Sequence, residues 1–595
     1  MRQYSCNIRI QAPRKRPFFS DDAKQYLKER LEISNLDKIS GQNPFALPLT
    51  PFVQTFVLFT SAVAQHALES GSFPAFDNVR IISSEKVPKH PGEIIVTLAS
   101  PTAAHLGNKF ILDAYNLSFM IVSEFTKPKF KRDKLDELTN LHLDNFVRMT
   151  RLQTKGGYSS RFMLREAFNR RIPLTHLGSG HYQYGFGCNA KIFNKSATPN
   201  DSMIGAILTN DKYACIQRMK MAGIPVPLSN VAFNAQHAND IAKEIGFPVV
   251  VKPADRDRGE GVTVDVREMN DVARAFENAK VYSNKILVEK HVAGICHRLI
   301  IFKETMIYAY SRHPASVIGD GVSTIKKLLE KERNNELRKA KHLRKKVYAL
   351  DEEAIFQLKI QYCEPETIPE KNQIIYLRPY EVQGDGYNEL NPDGTKIHSA
   401  NVDLARRAAR IFGLESAGID MISTDISLPW YDTGAVINEV NFRPQVDSES
   451  KAYLERLFQD GQSEIPIECF IGDEGAITKA VERLKELKQK SICVFLTSHN
   501  ITLDNKGEII RLSDVNGVFR RAEILLQDTR VEYLIVVLQT DELLATGLPF
   551  WESPKVTQVN SNIMDASNLG ETATSGNAER LVNFLNGNLN GTKIS

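Results

Sequence analysis

The chain has 595 residues, a formal net charge of +4 and 42% hydrophobic residues. That length holds three or four domains with several cores, and the near-balance of charge gives no reason to expect a nucleic-acid partner. The richest apolar window, 52–68, is broken by Gln54, Thr55, Gln65 and His66, too soon for a membrane span, so no membrane partner is expected. The basic N-terminus lacks the apolar run of a secretory signal. Seven scattered cysteines without a CxxC pair read as reduced thiols of a cytoplasmic protein.

Residues 1–150 mix short strand-like runs, at 94–100 and 119–125, with helical ones, and read as an N-terminal α/β domain. A connecting segment, 151–225, follows. It holds a linker-like patch at 154–160, an amphipathic run from Ser160, and an aromatic- and glycine-dense stretch at 181–193 that reads as a packed turn. Asp211–Pro227 reads as a helix carrying Lys212 and ended by Gly223, with Pro225 just beyond.

Pro248–Gly261, PVVVKPADRDRGEG, is the most informative stretch. Three β-branched residues make a buried strand, Lys252 closes it, and Pro253 stops it. A polar loop with Gly259 and Gly261 then leads to a second apolar run, VTVDV. Such a hairpin flap can lay backbone N–H groups over phosphates while a lysine reaches in from the strand end. An ordinary exposed hairpin with a charged tip has the same local pattern. The residues downstream decide between them.

Lys285–His291 reads as a strand ending on Glu289, and Arg298–Phe302 as another. The segment 326–346 has ten basic and three acidic residues at helical spacing and reads as a solvated helical arm. Ile374–Tyr380 reads as a strand bearing Arg378, and 400–413 as an amphipathic helix stopped by Gly413. Two further apolar strands carry Asp420, and Glu439 with Asn441. Beyond 455, the runs 491–498 and 533–540 are buried strands of parallel type, and 571–595 reads as a weakly packed tail.

Sharing one cleft, Lys212, Lys252 and Arg378 would supply positive charge for a triphosphate and a transferred phosphoryl group. Asp420, Glu439 and Asn441 are hard oxygen ligands of the kind magnesium prefers. Glu439 and Asn441, two apart on a strand, face the same side. Glu289 at a strand end can meet an adenine amino group. No Ser or Cys paired with His, and no zinc spacing, competes with phosphoryl transfer.

These stretches, DKYACIQRMKMAGIPVP, GFPVVVKPADRDRGEGVTVDV, ILVEKHVAGICHRLIIF, RHPASVIGDGVSTIKKLLE, IIYLRP, FGLESAGIDMISTDIS and INEVNFRP, stand in the order found in ATP-grasp carboxylate–amine ligases. The chain resembles the cyanophycin synthetase type of that family over about 155–450. The resemblance implies an α/β multidomain protein with its ATP-grasp fold at 226–455 and ATP and Mg2+ as cofactors. By position it implies Lys212 and Lys252 on the ATP phosphates and the 255–261 loop, with Arg258, Gly259 and Gly261, as a lid over them. It also implies Glu289 at the adenine, Arg378 on the phosphorylated intermediate with Lys252 in the catalytic set, and Asp420, Glu439 and Asn441 on magnesium. The implied reaction makes an acyl phosphate from a carboxylate, which an amine then attacks to give an amide.

Three positions depart from the family pattern. Cys296 stands where an acid ordinarily meets the ribose hydroxyls. Residues 381–387 read EVQGDGY where Asn-Leu-Ser-Thr-Gly-Gly is usual, and Pro444-Gln445 replaces Pro-Gly. The part 456–570 resembles the start of a Mur-ligase-like domain, but its phosphate loop reads Gly472-Asp473-Glu474-Gly475-Ala476-Ile477-Thr478 in place of GTNGKTT. Ala476 replaces the phosphate lysine and two carboxylates sit where an anion should bind, so a truncated, structural remnant is expected.

The leading expectation is therefore an ATP-dependent ligase acting on amino acids or peptides, either polymerising ready-made dipeptides or making another peptide. A homo-oligomer is the expected assembly. The alternatives are a glutathione-synthetase-like enzyme with one discrete product, and a nucleotide-binding pseudoenzyme.

Overall fold

The computed structural model describes all residues except 1–2, 12–20, 34–49, 77–79, 88–92, 102–105, 128–131, 257–259, 379–388, 391–396, 448, 459–461, 514, 567–574 and 588–595. They form two units, Ser196–Arg456 and a second one made of Met1–Lys195 with Leu457–Ser595. The central unit thus starts some way before residue 226. The helix Lys212–Met221 belongs to it, because Cys215 and Met219 are buried in its core.

Among the described residues, the central unit holds two larger antiparallel sheets and a two-stranded one, Ser316–Ile318 with Ile374–Tyr376. The first has the order Ser229–Ala232, Ile286–Lys290, Val249–Pro253, Thr263–Val266. The period of two in these strands sorts their side chains. Val249, Val251, Ile286 and Val288 face the helices Ala235–Ile245 and Met269–Lys280 and form one core with them. Each such burial contributes roughly 1.5–3 kcal/mol. Lys252, Leu287 and Glu289 are left on the opposite face.

The second sheet has the order Glu389–Leu390, Thr305–Arg312, Ile295–Phe302, Ser416–Ser423, Val436–Phe442. Leu299, Ile301, Ile419, Met421, Ile437 and Val440 pack on the helix Ser399–Ile411 and on Cys215 and Met219. Phe412 caps that helix and Gly413, at φ +64°, reverses the chain as its sequence position suggested. The other face of this sheet carries Arg298, Arg312, Asp420, Glu439 and Asn441.

A small third core joins Ala315, Val317, Ile325, Leu329, Tyr348, Leu358, Ile375 and Leu377. The expected arm at 326–346 is part of it. A helix, Ile325–Arg338, buries Ile325 and Leu329, and the chain then folds back through the short turn Lys341–Leu343. It is an anchored lobe, not a free arm, because Ile325 and Leu329 sit one turn apart and make an apolar stripe.

In the other unit, strands Gln3–Gln11, Glu93–Pro101 and Arg80–Lys86 form an antiparallel sheet beside the helices Pro51–Ser70 and Lys109–Glu124. The run 119–125, expected as a strand, is the end of the second helix. Ile111, Ala114, Tyr115, Ser118, Ile121 and Val122 are among its buried positions, a helical period that a seven-residue window hides. The stretch 181–193 is likewise a hairpin, His181–Tyr184 with Lys191–Asn194, rather than a simple turn.

The hairpin loop packs into the C-terminal α/β layer. Phe186 is buried in that core, and a Cβ on Gly187, at φ +56°, would lie 2.3 Å from the Val531 carbonyl oxygen. The C-terminal sheet runs Thr502–Leu503, Val494–Thr497, Tyr533–Leu538, Ile467–Ile471, Lys555–Gln558, and all its pairs but the first are parallel. Part of the expected loose tail is ordered. The helix Ser575–Leu585 buries Ala578, Leu581 and Leu585 in the same core.

Candidate functional site

Strand alternation places the first charged pair. Lys252 and Glu289 lie on neighbouring strands of the first sheet, on the face that its helices leave uncovered. Lys252 Nζ donates to Glu289 Oε1 at 2.9 Å and to Asn438 Oδ1 at 3.5 Å. Both charged side chains are over nine-tenths buried, at 9% and 5% exposure. Glu289 Oε2 is buried with no hydrogen-bond partner. An unsatisfied buried carboxylate oxygen is costly, and it marks a place where a ligand donor fits.

Lys212 opens the helix Lys212–Met221, whose N-cap is Asp211. Its backbone N–H donates to the Ala254 carbonyl at 3.0 Å, tying the helix start to the end of the Lys252 strand. Its Nζ lies 2.9 Å from Glu439 Oε1. Lys285 holds the same corner, pairing with Asp211 at 2.6 Å and lying over the Tyr213 ring. Lys285 and Asp211 were not picked out by sequence reasoning; an aspartate just before the candidate lysine was the signal available.

Register aligns the second sheet's charges. Arg298 pairs across to Tyr310 on one side and Asp420 on the other, and Asp420 pairs to Glu439. Arg298 grips Asp420 with two nitrogens, Nε and Nη2, the latter at 2.7 Å from Oδ2. Arg312 Nη1 donates to the same Oδ2 at 3.0 Å, and Asn441 Nδ2 approaches it at 3.4 Å. Burial opposes ionisation of Asp420, but the charges of Arg298 and Arg312 outweigh it and hold its carboxyl below the usual range. Burial likewise disfavours charge on Arg298, and Asp420 overcomes it, so the guanidinium stays protonated.

A β-bulge decides what the last strand presents. Asp420 opposes Glu439 but Met421 opposes Ile437, so Asn438 is an extra residue. The bulge turns Asn438 to the site face beside Glu439, and its amide oxygen meets Lys252. Strict alternation would have sent it into the core. Asn438, Arg298 and Arg312 are site residues that the sequence did not single out.

Arg378 lies just past the strand Ile374–Tyr376 of the small lobe. It donates to Asp351 at 2.6 Å and reaches Glu353 at 3.1 Å, and its guanidinium lies 4.7 Å from the centre of the Tyr348 ring. No contact in the described residues joins it to Lys212, Lys252 or Glu439. Arg258 and Gly259 lie outside the described residues. Gly261 has φ +70°, and a Cβ there would come within 2.8 Å of Tyr282, so chain packing already requires glycine. Cys296 is buried on the strand Ile295–Phe302, and its alternation puts it on the same face as Arg298.

Among the described residues no three His, Cys, Asp or Glu side chains gather as a metal site on their own. The mixed set does suit a hard cation: Glu439, Asn441 and Asp420 bring oxygens to one patch of adjoining strands, and Glu439 pairs with Lys212. No helix among the described residues is long and apolar enough to cross a membrane.

Comparison with known proteins gives a consistent picture. Residues 211–300 match the family model described as Carbamoyl-phosphate synthase L chain, ATP binding domain. The chain is 30% identical over 440 residues to the cyanophycin synthetase of Trichormus variabilis, covering 70% of this chain and 48% of that protein. It is 27% identical over 274 residues to the glutathione biosynthesis bifunctional protein GshAB of Mannheimia succiniciproducens, covering 45% of this chain and 35% of that one. A solved bifunctional glutathione synthetase from Pasteurella multocida aligns at 20% identity and TM-score 0.39, over 59% of this chain and 52% of that one. The chain spans about half the length of the cyanophycin synthetases it matches.

Proposed function

We propose that this chain, an ATP-grasp ligase resembling cyanophycin synthetase, joins the carboxylate of an amino acid or peptide to an amine at the expense of ATP. The observation that carries the reading is the meeting of the two sheets at Lys252, which touches Glu289 of one and Asn438 of the other. Nucleotide-type and phosphoryl-type groups therefore share one cleft.

Each residue has a task in that reaction. Glu289 Oε2 accepts from the adenine amino group, and Lys252 and Lys212 neutralise the phosphates. Arg298 and Arg312, fixed by Asp420, hold positive charge beside the transferred phosphoryl group. A substrate carboxylate oxygen attacks the γ-phosphorus and ADP leaves; the amine then attacks the acyl carbon and phosphate leaves as the amide forms. Glu439 and Asn441, with Asp420 beside them, would hold magnesium, which would supply charge neutralisation at the phosphates. Arg378, held by Asp351 and Glu353, is assigned to the phosphorylated intermediate, with Lys252 in the catalytic set.

The reading extends to the rest of the chain. Residues 456–595 serve packing or assembly as a Mur-ligase-like part whose phosphate loop is filled by its own carboxylate, in a homo-oligomer of the reducing cytoplasm, where the free cysteines stay as thiols.

Phosphate release with purified protein, ATP and magnesium, surveyed across amino acids, dipeptides and peptide primers, tests the activity. Mass spectrometry of the products separates a polymer from the single product of a glutathione-synthetase-like enzyme. No phosphate release with any carboxylate would refute the ligase reading. Glu439→Gln should lower phosphate release at least tenfold at every magnesium concentration, because an anionic ligand and the partner of Lys212 go together.

A further inference from the structure

The small lobe of 315–377 has a surface that its core does not explain. On the helix Ile325–Arg338, the side chains of Lys326, Lys327, Lys331 and Arg333 are exposed. One acid of the same segment is engaged internally. Glu336 takes Lys339 Nζ at 3.1 Å and the Lys345 backbone N–H at 2.7 Å. Glu330 and Glu332 remain exposed between these cations, and desolvation together with the charge of Glu336 raises the pKa of Glu332. The outward surface of the helix is thus predominantly basic, with Lys326, Lys327, Lys331, Arg333 and Arg338 exposed against Glu330 and Glu332.

Next to it stands an aromatic residue in an unfavourable conformation. Tyr362 follows the helix Glu352–Ile360 with φ +56°, where glycine or asparagine is the ordinary choice, and its side chain is 98% exposed. Phe356 and Ile360, one turn apart on that helix, are also exposed, at 61% and 56%. Neither packing nor helix termination asks for a tyrosine at 362. Strain of this kind persists where a function requires the residue. The loop after Tyr362 adjoins the basic helix: the N–H groups of Ile325 and Lys326 donate to the carbonyls of Thr367 and Pro365, both at 3.0 Å.

We propose that this lobe is a docking surface for an acidic peptide chain, held by the exposed basic residues of the helix Ile325–Arg338 and by Tyr362. This rests on the reading of the chain as a peptide ligase, whose substrate or product carries carboxylates. Charge complementarity selects an acidic partner, and the near-balance of the whole chain, +4 over 595 residues, shows that the basic surface is a local feature of this lobe. The surface acts outside the ATP cleft, so it tethers the chain being joined without touching the reacting atoms.

Fluorescence anisotropy with a labelled deca-aspartate, in the absence of ATP, measures docking by the full chain. Binding should weaken as salt rises, and the triple variant Lys327→Glu, Lys331→Glu, Arg333→Glu should lose at least tenfold in affinity while binding a non-hydrolysable ATP analogue as before. Tyr362→Gly should weaken the peptide several-fold while the melting temperature holds or rises, which a purely structural tyrosine would not do. Equal binding by wild type and triple variant would overturn the proposal, as would tighter binding of an oligothymidylate than of deca-aspartate. Docking with no phosphate release would leave this surface standing and remove the ligase reading; phosphate release with no docking would do the reverse.

Discussion

Two places in the chain carry the layout of a phosphate site, and they have opposite electrostatics. At the Lys252 hairpin, lysines face a buried carboxylate oxygen that lacks a partner. At the start of the helix Glu474–Gln489, the seat that an anion would take is filled by the chain itself. Asp473 caps that helix by accepting from the Gly475 N–H at 3.0 Å, and it takes Asn560 Nδ2 at 2.8 Å and Asn562 Nδ2 at 3.2 Å. Those hydrogen bonds, led by Asn560, hold its carboxyl below the ordinary range. A helix N-terminus is an anion site only while its N–H groups are free. Here the anion is covalent, and Ala476 is buried in the core instead of facing the loop. One layout leaves a buried carboxylate oxygen open; the other is self-satisfied.

The largest effect expected from this contrast is on Lys252→Ala, which should cut phosphate release by two orders of magnitude or more, on the order of 10²–10³-fold for a charge aimed at the transferred group. Circular dichroism of the variant should remain native. Asp420→Ala should act on stability as well as rate. It leaves Arg298 and Arg312 as uncompensated buried cations, a loss of roughly 3–5 kcal/mol, readable as a shift in urea midpoint.

Glu464, in the other unit, gives a pH-dependent effect. Burial raises its pKa from 4.5 to about 7, more than the N–H groups of Glu552 and Trp551 lower it. The folded state therefore holds the proton more tightly than the unfolded one. Its contribution to stability is fully present below 4.5 and is lost as pH rises to about 7. Glu464→Gln should flatten that slope, a change on the order of 2–3 kcal/mol between the two limits, measured by urea melts across the range. The smallest effect is on Asp473→Ser, which keeps a cap and removes the charge. Its melting temperature should move by a few degrees at most, and no nucleotide binding should appear at that helix.

Much of the cleft was legible because its residues obey short periods. Val249, Val251 and Lys252 sort by a period of two, and the same rule puts Glu289, Glu439 and Asn441 on the uncovered faces. Asn438 was not legible, because a bulge is one extra residue in a strand whose partner must be known to reveal it. The pairing of Arg298 and Arg312 with Asp420 needs the register of a hairpin against a strand more than a hundred positions away. The run 119–125 shows the opposite limit: a short, mostly apolar run fits a strand or a helix, and only the preceding turns of Lys109–Glu124 choose. Equally hidden was the union of 1–195 with 457–595, since it rests on contacts such as Gln183 Nε2 to the Leu526 carbonyl, 343 positions away.

The central claim is that each chain holds one nucleotide site, between the two sheets at Lys252. Calorimetric titration of the full chain with a non-hydrolysable ATP analogue and magnesium tests it most directly. The account predicts a stoichiometry near one for the wild type, the same for Asp473→Ser, and little or no binding for Lys252→Ala. A second saturable site, or a single site that survives the loss of Lys252, would contradict it.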